Sequence, residues 1–202
     1  MPFLEQIKKT VDKATGLGRP GSVDLAVRLN QRAPRTHSFA DDGTTPNNPR
    51  LPLVVYHDVI RGEQGLDPAA IFEELFAAHG WGGSWRNGVH DFLHFHTTTH
   101  EVLGVARGSA QVQFGGDEGR TLTVSAGDVV ALPAGTGHRR LSGSDDLLVV
   151  GAYPDSGSFD QRRPGQIDHR EALAQIAQVP APAQDPVYGP DGPLVTLWAK
   201  DS

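Results

Sequence analysis

Residues 88–108 read Gly-Val-His-Asp-Phe-Leu-His-Phe-His-Thr-Thr-Thr-His-Glu-Val-Leu-Gly-Val-Ala-Arg-Gly, and the twelve residues from His90 to Glu101 hold four of the chain's nine histidines and a glutamate. So many imidazoles beside a carboxylate are ligand chemistry rather than core chemistry. His94 and His96 stand two apart, so on an extended chain both project from one face, and the β-branched Thr97, Thr98 and Thr99 favour a strand over a helix. A shared face lets both rings grip one ion. With the flanking glycines Gly88 and Gly108 the spacing is G-x5-H-x-H-x4-E-x6-G.

A second run, Gly127-Asp-Val-Val-Ala-Leu-Pro133-Ala-Gly135-Thr-Gly-His138, has the spacing G-x5-P-x-G-x2-H and returns a third imidazole from a later strand. Together the two runs resemble the paired sequence motifs of the cupin superfamily. That resemblance implies a single jelly-roll β-barrel, an all-β core with short flanking α-helices, and a metal held by His94, His96, Glu101 and His138. The family pattern ends on an asparagine four residues after the last histidine, and this chain carries Ser142 there. The words Pro46-Asn-Asn-Pro-Arg-Leu-Pro52, Gly80-Trp-Gly-Gly-Ser-Trp-Arg-Asn-Gly88 and Val149-Val-Gly-Ala-Tyr-Pro154 are similar to those of the YjlB-like bacterial cupin proteins, a group of unsettled function. This narrower likeness covers roughly residues 36–165.

The alternative for each imidazole is a satisfied interior histidine. For three of them with a carboxylate at motif spacing that reading needs several separately partnered buried polar groups, so the metal reading is preferred. A zinc-protease pairing of His96 with His100 fails, because Glu101 does not stand in the H-E-x-x-H position and the segment reads as strand. His100 is expected beside the site, as a donor behind the ligands or a rim residue. Alternation from His138 turns Arg140, and in the same phase Ser142, toward the pocket, where Arg140 could meet an anionic oxygen or instead pair with a surface acid. His90 fits either the site or the surface. His37, His57, His79 and His169 are expected on loops or the surface.

Composition bounds the rest. The 202 residues fit one domain with extensions, and a formal charge of −6 without a basic stripe argues against nucleic-acid binding. There is no cysteine, hence no disulfide and no thiolate ligand. No apolar run is long enough for a membrane span, and the N-terminus lacks the apolar segment of a secretory signal, which points to the cytoplasm.

Along the chain, residues 1–50 are expected to form an amphipathic helix over 3–14 followed by a linker or arm. Residues 51–165 are expected to form the barrel, with a helix over 68–79 capped by Asp67, Pro68 and Gly80. Residues 166–202 are expected to give a helix from Asp168 to about Gln178 and an extended tail packed on the barrel or on a dimer partner. Strands are predicted at Leu51–Ile60, Phe92–His96, Glu101–Arg107, Ala110–Phe114, Thr121–Val124, Asp128–Leu132, His138–Leu141 and Leu147–Tyr153. Trp81–Gly88 reads as an aromatic rim over the metal or a plug at one end of the barrel. Leu194–Trp198, too apolar for a free tail, is expected to add a strand to a sheet edge, within the chain or across a dimer. With the apolar face of residues 3–14 it is the ground for expecting a homodimer.

Three neutral imidazoles and one carboxylate form an N3O set suited to a divalent Fe, Mn, Ni, Zn or Cu ion, with coordination positions left open. The expected function is a small metal-dependent enzyme, an oxygenase or an isomerase or lyase, acting on a small polar or carboxylated molecule. The alternative is a non-catalytic module that binds or senses a metal or small ligand.

Overall fold

The computed structural model describes residues 29–60, 66–155 and 158–199. The helix expected over 3–14 lies outside them. Among the described residues nine strands form in chain order: β1 Arg35–His37, β2 Leu53–Tyr56, β3 Trp81–Asn87, β4 Glu101–Arg107, β5 Ser109–Phe114, β6 Arg120–Ser125, β7 Val129–Leu132, β8 His138–Gly143 and β9 Leu148–Pro154. Three short helices accompany them in the same residues, α1 Pro68–Ala78, α2 His169–Ile176 and α3 Pro193–Ala199. Among the described residues no helix is long and apolar enough to cross a membrane.

The strands build two antiparallel sheets, one of six in the order β1-β2-β7-β4-β9-β3 and one of three in the order β6-β5-β8. The ladder does not run on from one sheet into the other, so the closed barrel expected from sequence is replaced by two open sheets. Alternation along the larger sheet explains why. Leu53, Val55, Leu103, Val105, Val130, Leu132 and Val149 face the small sheet and pack on Val112, Phe114 and Val124. Their neighbours Val54, Tyr56, Val102, Ala106, Val129, Ala131 and Val150 face the other way, onto Phe72, Leu75 and Phe76 of α1 and Leu194 and Trp198 of α3. A sheet covered on both faces needs apolar residues on both, so β2 and β7 are buried throughout and β4 up to its last residue.

Local chemistry sets the helix ends. The Asp67 carboxylate accepts the Ala69 N–H at 3.1 Å, Pro68 takes the first turn, and Gly80 follows the His79 cap with φ +78°. Asp168 likewise accepts the Arg170 and Glu171 N–H groups and starts α2.

Three expectations change. Phe92–His96 forms no strand of its own and pairs only through single bridges, His94 with His138 and Phe95 with Arg162. Trp81–Asn87 is an edge strand on β9, bulged between Gly82 and Trp85, where its glycines hid the alternation. Leu194–Trp198 lies in the helix α3, not on a sheet edge. Leu194 and Trp198, four apart, are both fully buried within the chain, so they offer no apolar tail to a second copy. Buried Asp185 fixes that helix: its carboxylate accepts Leu194 N–H, Val187 N–H, Tyr188 N–H and the Tyr56 hydroxyl.

His100 belongs to this scaffold rather than to a rim. It is 1% exposed, its Nδ1 accepts the Ala134 N–H at 2.9 Å, its Nε2–H donates to Pro180 O at 3.2 Å, and its ring lies 4.7 Å from that of Trp198. Burial pushes its pKa down to about 4, against a smaller upward pull from the Pro180 carbonyl.

Two outcomes follow. Gly104 sits where a Cβ would come within 2.6 Å of the Phe72 ring, so Gly104→Ala is expected to cost about 1–3 kcal/mol, read as a lower urea midpoint at constant slope. For His100, the unfolded chain takes up a proton near pH 6.5 and the folded chain only near 4. Stability is therefore lost as pH falls through that window, by roughly 3 kcal/mol. His100→Gln is expected to flatten this part of the profile, measured by thermal unfolding between pH 7 and 4.

Candidate metal centre

The centre lies between the two sheets at one end. Glu101 is the first residue of β4 and His138 the first of β8, while His94 and His96 come from the segment leading into β4. Reciprocal main-chain bonds tie His94 to His138, N to O at 3.2 Å and back at 2.9 Å, which sets their rings 4.1 Å apart. The loop before His138 is pinned as well. Gly137 N–H donates to Asn47 Oδ1, Asn48 Nδ2 donates to Ala134 O, and Gly135 N–H donates to His96 O at 2.7 Å. A Cβ on Gly135, at φ +90°, would meet Asn47 O at 2.5 Å, so glycine is required there. The turn signal at Pro46–Pro49 thus buries two asparagines that hold the ligand loop.

His94, His96, Glu101 and His138 are all at least 95% buried. Ligand atoms of the three histidines lie within 4.8 Å of one another. The second nitrogen of each ring decides their state. Nδ1 of His94 faces Phe92 O at 3.1 Å, Nδ1 of His138 faces Thr136 O at 3.0 Å, and Nδ1 of His96 faces Asp160 O. Main-chain carbonyls only accept, so each Nδ1 carries the proton and each neutral ring turns an Nε2 lone pair to the other side. Nε2 of His96 and of His138 each lie 3.4 Å from Glu101 Oε2, and that buried oxygen has no hydrogen-bond partner among the described residues. Lone pairs and a carboxylate thus converge with nothing positive between them. This donor set fits a cation.

Electrostatics agree. Burial, reinforced by His138, pushes the His94 pKa down to about 2, so this ring stays neutral. Burial acts the same way on His96, but the Glu101 charge overcomes it and the net shift is upward. Glu101, which burial alone would raise, is held well below the carboxylate range by His96 and His138.

A cavity of about 220 Å³ opens onto the four residues. Trp85, His90, Tyr153, Phe159 and Gln161 are among its walls. Trp85 Nε1–H donates to the Tyr153 hydroxyl at 2.9 Å, and the Tyr153 and Phe159 rings stack at 4.6 Å. Burial and the neighbouring Glu101 charge hold the Tyr153 phenol above its usual value, so it stays protonated. Trp85 lies on Gly151, where a Cβ would come within 2.2 Å of the indole.

Of the sequence candidates, the four residues proposed as ligands come together and the pocket candidates do not. His100 points away, into the tail. Ser142 is exposed, because a bulge in the pairing of β8 with β5 sets Gln111 opposite Ser142 and Val112 opposite Arg140, which breaks the alternation at Leu141. Arg140 keeps the inward phase but does not line the cavity; its guanidinium lies 3.5 Å from where a Cβ on Gly88 would be. Tyr153, Phe159 and Asp160 were not singled out by sequence reasoning. The inward phase of Val149, Gly151 and Tyr153 on β9 is a signal for the first. Nothing local marks the other two, which lie beyond the last strand.

No family model matches the chain. The uncharacterized protein YjlB of Bacillus subtilis (strain 168) is 40% identical over 170 residues, which span 84% of this chain and 99% of that protein. Solved structures with partial likeness include the TDP-quinovose 3,4-ketoisomerase WlaRB of Campylobacter jejuni, with TM-score 0.36, 14% identity, and coverage of 45% of this chain and 73% of that one. Acireductone dioxygenase of Bacillus anthracis gives TM-score 0.33 at 16% identity, over 44% of this chain and 59% of that one. A variant of Bacillus subtilis oxalate decarboxylase gives TM-score 0.36 at 17% identity, over 64% of this chain and 33% of that one. With this identity carried along nearly the whole of a relative, and the histidines of both motifs present, the chain belongs to the YjlB-like cupin proteins.

Proposed function

We propose that this protein is a jelly-roll cupin holding one divalent transition metal on His94, His96, Glu101 and His138, and that it is an enzyme for a small molecule. The observation that carries the reading is the orphaned Oε2 of Glu101 facing two imidazole nitrogens whose partner nitrogens already donate to carbonyls. The N3O set suits Fe, Mn, Ni, Zn or Cu. When bound, such an ion supplies Lewis acidity and open positions for a ligand, the common ground of oxygenase and of isomerase or lyase chemistry.

The chain's own residues do the rest. The carbonyls of Phe92, Asp160 and Thr136 fix the imidazole tautomers. Glu101 offsets one charge of the ion, and the Tyr153 hydroxyl, oriented by Trp85, presents a donor at the edge of the centre. Phe159 narrows the mouth against water.

A non-catalytic binding or sensing module is the second reading, favoured by the scarcity of proton acceptors. Apart from the ligands and His90, the described lining offers none that is free. Arg86, the lining arginine, is held by Glu73 and Asp67.

Protein purified without a histidine tag is expected to carry about one metal per chain by mass spectrometry. Glu101→Gln and His138→Ala should each weaken metal affinity by about 10–100-fold. Saturating metal at about a hundredfold over Kd should add about 2.7 kcal/mol of stability, readable as a higher Tm. Unchanged metal content in His138→Ala would overturn the site. Oxygen uptake or substrate conversion that disappears in His94→Ala would set the enzyme apart from the binding module.

A further inference from the structure

The cavity over the metal centre has a chemistry of its own, and it narrows the ligand. Its volume of about 220 Å³ is below the roughly 300–1,000 Å³ of sites for drug-sized molecules, and suits a compound of about ten non-hydrogen atoms. Aromatic side chains dominate one side. The Tyr153 and Phe159 rings are stacked with an interplanar angle of 14°, and both stand edge-on to His96 at 6.0 and 5.7 Å. Phe159 is 50% exposed, a large apolar ring left at the mouth of a polar centre. A flat ligand entering there covers it.

Charge narrows the ligand further. A divalent ion with Glu101 leaves one net positive charge in a buried site, and one negative ligand charge makes the centre neutral. A dianion would need a cation in the wall. Arg86 is committed: Nε and Nη2 donate to the two Glu73 carboxylate oxygens at 2.8 Å each, and Nη1 donates to Asp67 Oδ2 at 2.7 Å. Two acids on one guanidinium neutralise the one permanently charged cation of the described lining. Arg140 is not among the lining residues; its guanidinium lies 3.5 Å from where a Cβ on Gly88 would be.

Resting on the metal reading above, we infer that the site takes a small, uncharged, flat ring compound that carries an adjacent pair of oxygen donors and binds the metal as a monoanion, with its ring against the Phe159–Tyr153 wall. The ligand's acidic proton passes to bulk solvent on chelation. The polar or carboxylated substrate expected from Arg140 gives way to one selected by stacking.

Hydroxamic acids test this, because acetohydroxamic and benzohydroxamic acid share one uncharged, monoanion-forming chelating head and differ in the ring. Calorimetric titration of the zinc- or nickel-loaded protein is expected to give about tenfold tighter binding for benzohydroxamic acid. Oxalate, a dianionic oxygen chelator, should bind more weakly than either. Phe159→Ala, and Phe159→Leu as an apolar variant without a ring, should remove the benzohydroxamic advantage and leave metal content unchanged. Equal affinities for the two hydroxamic acids would overturn the inference, as would tighter oxalate binding lost in Arg140→Ala. Both results leave the metal reading standing. Failure of the protein to load metal, read separately by mass spectrometry, would overturn both.

Discussion

Three ring N–H groups donating to three main-chain carbonyls determine what this molecule can be. With the Nδ1–H groups of His94, His96 and His138 donating to the carbonyls of Phe92, Asp160 and Thr136, the remaining ring nitrogens are acceptors, and those of His96 and His138 meet a carboxylate. A buried centre of acceptors alone is electrostatically incomplete. The surroundings act to preserve that state: Asn47 and Asn48 hold the His138 loop, and the β4 strand behind Glu101 is packed on both faces so the carboxylate cannot swing out.

The two-sided burial of the large sheet also accounts for how much of the fold could be read from sequence. β4 was legible to the residue because it fills the end of the first motif, from Glu101 to just before Gly108, and β5 to β9 were legible within a residue or two because short apolar runs alternate with turn residues. β3 was not, since Gly82 and Gly83 carry no pattern and its partner β9 lies more than sixty residues away. Leu194–Trp198 failed for a related reason. Five apolar-rich residues suit a strand or a single helical turn equally, and the buried Asp185 that decides the matter is a tertiary contact.

In the site, the gathering of His94, His96, Glu101 and His138 was legible because the motif puts particular residue types at fixed spacing. The pocket was not, because alternation fails at a bulge, as at Leu141, and because walls can be supplied from anywhere in the chain. Arg140 and Ser142 follow from extending a strand that does not stay regular. Phe159 and Asp160 come from a segment that carries no period at all, and it reaches the centre through hydrogen bonds to Thr97 and Thr98.

That segment joins two things usually built separately. The Asp160 carbonyl accepts the His96 Nδ1–H, its carboxylate accepts the Thr97 N–H at 2.7 Å, and the residue before it is the ring at the cavity mouth. The cavity mouth and the carbonyl that fixes the His96 ring are thus neighbours on one backbone segment. Under the proposed metal reading, a ligand that shifts Phe159 and an ion that rests on His96 are coupled, and each alters the binding of the other by the same free energy.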